Sequence, residues 1–457
     1  MQTQTQKTLA RPLRLDTRHT VLIGFAFLSI CAFWQMYNSV VPLILTNTFH
    51  LAETWSGVIM AMDNVLALFL LPLFGGLSDK CRSPLGRRRP FILGGTLAAV
   101  VLMLLLPLLD DSYFTAAATW KLAAFVGILG CLLVAMGTYR SPAVALMPDV
   151  TPKPLRSKAN AIINLMGAVG GILYLIIASV LYSSARTAGM EHVSYVLLFA
   201  VVAGIMLLAL AVVMTQVDEP GLVAKAQAYE AQHPEENLTV ADTATHSETL
   251  PAPVRRSLGF LLCSIALWFI GYNAIETWFT TYASRMWGMA LGDASLCLTI
   301  ATAGAIVSYI PVGAVASRIG RKKTICGGVV LLAGCFFAAF IYTELSHTFH
   351  PGLYVLFVLV GLAWAAINVN SLPMVVEMCS GSDVGKFTGY YYTFSMAAQT
   401  ITPIVAGALL NQVGYWVLFL YAALFVAAAF VTMQFVRHGD NKVEGPKGLE
   451  AFADMDG

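Results

Sequence analysis

Charge is what this chain has least of. Of its 457 residues only 27 are Lys or Arg and 25 are Asp or Glu, so charged side chains make up 11%, against about 25% in an ordinary soluble protein. Mean hydropathy is +0.73. Together these exclude a soluble enzyme, whose surface would need far more charge. A net charge of +2 gives no reason to expect a nucleic-acid partner. The eight cysteines contain no C-x-x-C pair and mostly fall inside apolar runs, which speaks against a disulfide framework or a zinc site. The motifs G-x-G-x-x-G, Walker A, G-x-S-x-G and H-E-x-x-H are missing as well, so neither catalysis, ATP-driven work nor an organic cofactor is expected. The basic start of the chain is followed by a long apolar span without an A-x-A cleavage site, which reads as a retained helix rather than a signal peptide.

What the chain has in excess is apolar sequence. Twelve runs are long enough to cross about 30 Å of hydrocarbon: 21–46, 55–77, 90–109, 122–147, 159–182, 194–215, 258–283, 294–316, 324–343, 353–376, 387–410 and 414–435. Lipid leaves the backbone no partner but itself, so each must be a helix. An even number places both tails on one side. Of the 27 basic residues, 23 fall on that side, Lys121, Arg186 and Arg285 on the other, and Arg140 within a span. The excess marks the cytoplasm: the chain is expected in a cell (plasma or inner) membrane with both termini inside. Residues 217–256, rich in Ala, Gln, Glu, Thr and Pro and without apolar periodicity, read as a linker. The division is a tail at 1–20, a six-helix bundle at 21–216, the linker, a second bundle at 257–436 and a disordered tail at 437–457. The sequon at Asn237 would lie on the cytoplasmic side, unused.

The halves echo one another. Tyr37-Asn38 corresponds to Tyr272-Asn273, Gly75 to Asp79 to Gly313 to Ser317, and Gly86-Arg87-Arg88 to Gly320-Arg321-Lys322. Arg140, Asp149 and Lys158 fall opposite Asn368, Glu377 and Lys386 at a constant offset of 228. Duplicated six-helix units imply a pseudo-two-fold axis along the membrane normal, with a site between the units near the midplane. The fold class is therefore an all-α membrane protein, twelve transmembrane helices in two pseudo-symmetric six-helix bundles.

Residues 75–92, Gly-Gly-Leu-Ser-Asp-Lys-Cys-Arg-Ser-Pro-Leu-Gly-Arg-Arg-Arg-Pro-Phe-Ile, resemble the helix 2–3 loop signature of the major facilitator superfamily. The four extra residues before Gly86 and the Gly-Arg-Arg-Arg-Pro-Phe-Ile ending are similar to its sucrose:proton symporter branch, within the glycoside–pentoside–hexuronide:cation symporters. The resemblance implies alternating-access transport of a sugar or glycoside with a cation. It implies conformational roles for Gly75, Asp79, Gly86, Arg87, Arg88, Arg89 and Asp149. Read from the residues alone, Asp79 can pair with basic groups or a helix N-terminus across the half-interface, and the three arginines can hold the loop at an anionic leaflet. A topology anchor without a gating role is the plainer reading.

Within the spans lie three charged residues, Asp63, Arg140 and Glu276. Each costs roughly 2.5–3.5 kcal/mol at a helix centre, so each must face a cavity or a partner. At 1.5 Å per residue they sit about 10–12 Å deep. Arg140 can neutralise one carboxylate fully but not two. One of Asp63 and Glu276 is then a spare acid whose surroundings favour the neutral form, as proton coupling requires. A static ion pair plus an interfacial Glu276 is the alternative. The sucrose branch carries its helix-4 arginine where Val144 stands here, one turn from Arg140. The melibiose branch has paired aspartates suited to sodium, where Ile59 and Ala67 flank Asp63. A lone carboxylate favours a proton over sodium.

Amides that bond hydroxyls, beside aromatic rings that cover sugar C–H faces, suit a small polyhydroxylated substrate. The favoured candidates are Gln35, Asn38, Asn64, Asn160, Asn164 and Asn368, with bonding between helices as the alternative. His347-x-x-His350 shows no third ligand, and no metal site is assigned. The expected molecule is a monomeric proton-coupled sugar symporter. A proton-coupled exporter of drugs or metabolites, or a non-transporting sensor or lipid scramblase, are the alternatives.

Overall fold

The structure is a computed structural model and describes residues 15–152, 155–232, 251–378 and 384–440. The sequon and most of both tails lie outside these residues. Its helices are α1 (Thr17–Leu43), α2 (Glu53–Asp79), α3 (Arg89–Thr115), α4 (Thr119–Val150), α5 (Arg156–Leu181), α6 (Ser184–Thr187), α7 (Val196–Gln216) and α8 (Glu219–Gln232). They continue as α9 (Ala252–Trp287), α10 (Leu291–Ile319), α11 (Arg321–Leu345), α12 (Leu353–Val376), α13 (Val384–Gln412) and α14 (Val417–Gln434). Twelve are long and apolar enough to span a membrane, the exceptions being the short α6 and the polar α8.

The helices form where apolar runs leave no other way to satisfy the backbone, and they end where capping residues take over. Asp16 accepts the first free N–H of α1 from His19 at 3.2 Å, a standard use of aspartate. Past Pro42, which lacks an N–H, the chain continues as a π turn over Ile44–Thr48, where the Thr46 hydroxyl donates to the Pro42 carbonyl at 2.8 Å. Such wide turns appear where the regular ladder has been interrupted.

Each half has its own core. One apolar cluster runs through α1, α3, α4, α5 and α7 and another through α9, α11, α12, α13 and α14. A small patch built on Ala161 of α5, Ala305 and Tyr309 of α10 and Ala365 of α12 joins them. The central helices α1, α9 and α12 bury more than three-fifths of their most apolar stretch, whereas α2 buries 22%.

Polar contacts between the halves gather at the end opposite the termini, called here the far end. Thr280 donates to the Ser39 carbonyl at 2.8 Å, Arg285 to the Thr46 carbonyl at 3.3 Å and Tyr415 to the Glu53 carboxylate at 2.7 Å. The Gly292 N–H donates to the Tyr182 carbonyl at 2.8 Å, and Ser184 bonds Asp293. Gly57 of α2 lies so close to the Pro403 carbonyl of α13 that a Cβ there would overlap it. Toward the other end, Gly76 of α2 and Gly313 of α10 face open space. The three charges within the spans stay partly exposed. Among the described residues, the hydrogen bonds that close the cleft between the halves thus lie at the far end.

The segment read as a linker opens with α8, packed on α4. Its first residue is 1% exposed: the Glu219 carboxylate accepts from the backbone N–H groups of Arg87 (2.7 Å), Arg88 (3.0 Å) and Arg89 (3.1 Å). It thus caps α3, the position where an anion best offsets a helix dipole. The absence of apolar periodicity hid this helix, because a cap and a packing contact hold it rather than an apolar face.

Candidate functional site

Three charged side chains from three helices share the middle of the molecule. Asp63 of α2 feels the charges of Arg140 on α4 and of Glu276 on α9. No ion pair within 4.0 Å joins Asp63 to Arg140. Instead, one Asp63 oxygen accepts from the Asn64 backbone N–H at 2.6 Å, and the Arg140 guanidinium rests 5.8 Å from the centre of the Trp34 ring. A cation over an aromatic face is stabilised by the ring's negative surface. Arg140 is therefore parked beside the cleft rather than locked to its acid.

Glu276 comes from the other half. Asn273, one turn earlier on α9, is a polar neighbour of its carboxylate, and Gln35 of α1 lines, with Tyr272 and Glu276, a crevice otherwise lined mainly by apolar side chains of the C-terminal half. Tyr272 stacks face to face on Trp364 of α12, with centroids 3.7 Å apart and planes 7° apart. The middle thus presents two carboxylates, one guanidinium, amides from both halves and flat aromatic faces.

The remaining amides divide by depth. Gln35, Asn38, Asn64 and Asn160 are partly exposed, whereas Asn164 and Asn368 are 5% and 4% exposed and belong to the helix packing. Trp34 is the main residue that sequence reasoning passed over. Its spacing of one residue from Gln35 was visible, but the contact with Arg140 depends on how α1 meets α4.

The loop between α2 and α3 is a built structure. Arg88 donates to Asp149 at 2.7 Å, to Ser78 and Asp79 at 2.5 Å each and to the Gly75 carbonyl at 3.3 Å. Burial alone would lower the pKa of this guanidinium, yet the Asp149 and Asp79 carboxylates beside it raise it above the ordinary arginine value. Arg87 reaches Asp149 at 3.5 Å, and Arg89 donates to the Met214 carbonyl of α7. Arg88 and Arg89 are thus 5% and 8% exposed and do not reach out to lipid headgroups as expected: carboxylates and helix-end carbonyls claim their donors first. Asp79 is likewise held inside its own half.

The second half repeats this arrangement. Arg321 pairs with Glu377, as Arg87 does with Asp149. Asp440, just after α14, accepts from the Lys322 N–H at 3.1 Å, as Glu219, just after α7, accepts from the start of α3. Gly86 and Gly320 lie beneath these two carboxylates with φ of +106° and +98°, a region open to glycine and strained for other residues. The repeat read from the sequence is thus a repeat of contacts.

Comparison with known proteins agrees. The family model described as Major Facilitator Superfamily matches residues 23–292 and again 286–453. "Sucrose transport protein SUC3" of Arabidopsis thaliana is 35% identical over 139 residues, covering 28% of this chain and 23% of that protein. The chain's match therefore spans under a third of that relative's length. Among solved structures, a D-xylose-proton symporter superposes with a TM-score of 0.63 at 16% identity, over 93% of this chain and 98% of its own. A bacterial homologue of the iron transporter ferroportin, in an inward-facing state, does so with 0.67 at 11% identity, over 93% and 100%. At such identities the likeness is one of fold. A match whose two segments together run from residue 23 to 453, on twelve membrane helices with duplicated loop clamps, means that the chain belongs to the Major Facilitator Superfamily.

Proposed function

We propose that this protein is a secondary active transporter that carries a sugar or glycoside inward together with a proton by alternating access. One observation carries the reading: two acids and one arginine from facing halves share a cleft, and the arginine is free of both acids and laid on an aromatic ring. Transport of a charged ion with a neutral polyol requires that protonation and binding favour one another. Arg140 supplies the link. When Asp63 is charged, the guanidinium is drawn to it; when Asp63 is protonated, its five donors are free to fork onto neighbouring hydroxyls. Gln35, Asn38, Asn64 and Asn160 would complete the hydroxyl contacts, and the Tyr272–Trp364 pair would cover a C–H face. Asn164 and Asn368 would hold the helices behind them.

Glu276 is the second acid of the coupling machinery, and a proton is the coupling ion because Ile59 and Ala67, one turn either side of Asp63 on α2, supply no paired carboxylate for a sodium site. The clamps at Gly75, Asp79, Gly86, Arg87, Arg88, Arg89 and Asp149 would hold each half rigid while the halves rock. The likeness to plant sucrose transport proteins favours a disaccharide-like cargo. The positive-inside distribution favours a cell membrane with both termini and the 217–256 segment in the cytoplasm.

The test is uptake of a labelled sugar panel into proteoliposomes under an imposed pH gradient. Accumulation of one sugar that collapses when the gradient is dissipated supports the reading. Depletion of preloaded vesicles instead would make the protein an exporter, and gradient-independent lipid movement would make it a scramblase. A periplasmic reporter fused after residue 440 should be silent; an active one reverses the orientation.

A further inference from the structure

A second cluster of ionisable groups lies at the far end of the N-terminal half, away from the cleft. Asp110 and Asp111 come from the last turns of α3, and His192 from the segment between α6 and α7. His192 Nε2 is 2.9 Å from Asp111 Oδ1 and 3.6 Å from Asp110 Oδ2, and one ligand atom from each residue lies within 4.8 Å of the other two. Asp110 is 0% exposed, and neither of its oxygens has a hydrogen-bond partner; Thr48 and His192 are its polar neighbours. A buried carboxylate is costly unless it is paired or coordinates a metal.

The surroundings are arranged as a ligand shell would be. Ser194 donates to Asp111 Oδ2 at 2.6 Å, leaving Oδ1 turned to the shared point. The Phe114 ring stacks on the His192 imidazole, centroids 4.5 Å apart and planes 12° apart, and fixes its orientation. Lys121 of α4 spends its ammonium on the Ser112 and Ala116 carbonyls at the end of α3. Charge decides between the two ways of filling the gap. A protonated His192 facing two carboxylates leaves a net negative charge in a buried place. A divalent ion with neutral imidazole leaves none. Ligand atoms held about 2.0–2.2 Å from a tetrahedral ion lie about 3.3 Å from one another, and the two histidine–carboxylate separations bracket that value.

We propose that Asp110, Asp111 and His192 bind a divalent transition-metal ion of the zinc type, which ties the end of α3 to the segment leading into α7. One nitrogen and two oxygen donors suit such an ion better than calcium or magnesium, which take oxygen alone. The ligands stand 81 residues apart in sequence, so no spacing pattern announces them.

The test uses tag-free, full-length protein stripped with chelator. Titration with Co²⁺ should produce a visible absorption band that saturates at one ion per chain and is displaced by Zn²⁺. His192→Gln and Asp110→Asn should each weaken binding at least tenfold, and Zn²⁺ should raise the thermal midpoint of the wild type but not of either variant. His192→Gln changes a partly exposed loop residue, so it remains informative if the buried Asp110→Asn fails to fold. A double variant at His347 and His350, both to Ala, should bind as the wild type does. Wild-type and His192→Gln proteins with equal affinity, or loss of the band in the His347/His350 variant, would overturn the assignment.

Discussion

At the end that carries the termini, Arg87 and Arg88 hold Asp149 while Glu219 caps α3; in the other half Arg321 holds Glu377 while Asp440 caps α11. In the middle of the membrane the halves part company. Arg140 corresponds to Asn368 in the repeat, and Asp63, about three turns before Gly75, falls opposite Ala301. Under the proposed mechanism, duplication preserved the parts that keep each half rigid and let diverge the parts that face the cargo. The two acids of the proposed mechanism, Asp63 and Glu276, stand at positions the repeat does not relate: Ala301 falls opposite the first and Val41 opposite the second.

The sharpest way to break this contrast is Asp63→Asn. Uphill, pH-driven accumulation should be abolished while substrate exchange persists, because exchange requires binding and isomerisation but no net proton movement. Counterflow and gradient-driven uptake measured on the same vesicles check it. A variant that still concentrates substrate transfers the coupling role to Glu276.

Next in size comes the clamp. Arg88 has a side chain 6% exposed and Asp149 one 20% exposed, so Arg88→Ala should approach the about 3–5 kcal/mol of a broken buried pair, reduced because Arg87 still reaches Asp149 at 3.5 Å. The Asp79 arm adds little, since that side chain is 56% exposed and water screens it. Arg321→Ala breaks the pair with Glu377 and should cost less, since Arg88 donates to Asp149, Ser78, Asp79 and the Gly75 carbonyl together. Thermal midpoints in detergent compare the two, and equal losses would mean that the first clamp's additional bonds contribute nothing.

Arg140→Lys sharpens the contrast in the middle. The charge stays, but the planar fork and its stacking on Trp34 are lost, so substrate affinity should fall more than tenfold, about 1.4 kcal/mol. Titration calorimetry of the purified protein with its sugar measures it. Unchanged affinity would make Arg140 a structural charge and remove it from the coupling scheme.

Hydropathy and charge counts made the twelve spans and the duplication legible, since both are properties of windows along a single chain. The three membrane charges were legible for the same reason: scarcity makes each one conspicuous. What stayed hidden depends on where helices meet. Trp34 beneath Arg140 is set by the crossing of α1 and α4. Asp110 lies just past the apolar run, which stops at residue 109, yet α3 runs on to Thr115 and buries it. Glu219 lies in a stretch of linker composition, and only the fold brings it to the start of α3, more than a hundred residues away.

The smallest effect is the most direct comparison of the duplicated ends. Glu219 accepts from the backbone N–H groups of Arg87, Arg88 and Arg89 and is 1% exposed; Asp440 accepts from Lys322 alone and is only half-buried. Losing a side-chain cap costs typically about 1 kcal/mol and up to about 2, and the charge at a helix start adds about 0.3–1. Glu219→Ala should therefore fall near 2 kcal/mol and Asp440→Ala at or below 1. Glu219→Gln keeps an acceptor but loses the charge, so it should land between wild type and Glu219→Ala, with the gap measuring the dipole contribution. Hydrogen exchange at the amides of 87–91 should speed up in Glu219→Ala while those of 321–325 stay protected, and Asp440→Ala should do the reverse. If Asp440→Ala proves as costly as Glu219→Ala, the caps are equal. The extra bonds onto Glu219 would then be spectators, and the asymmetry of the molecule would be confined to its middle.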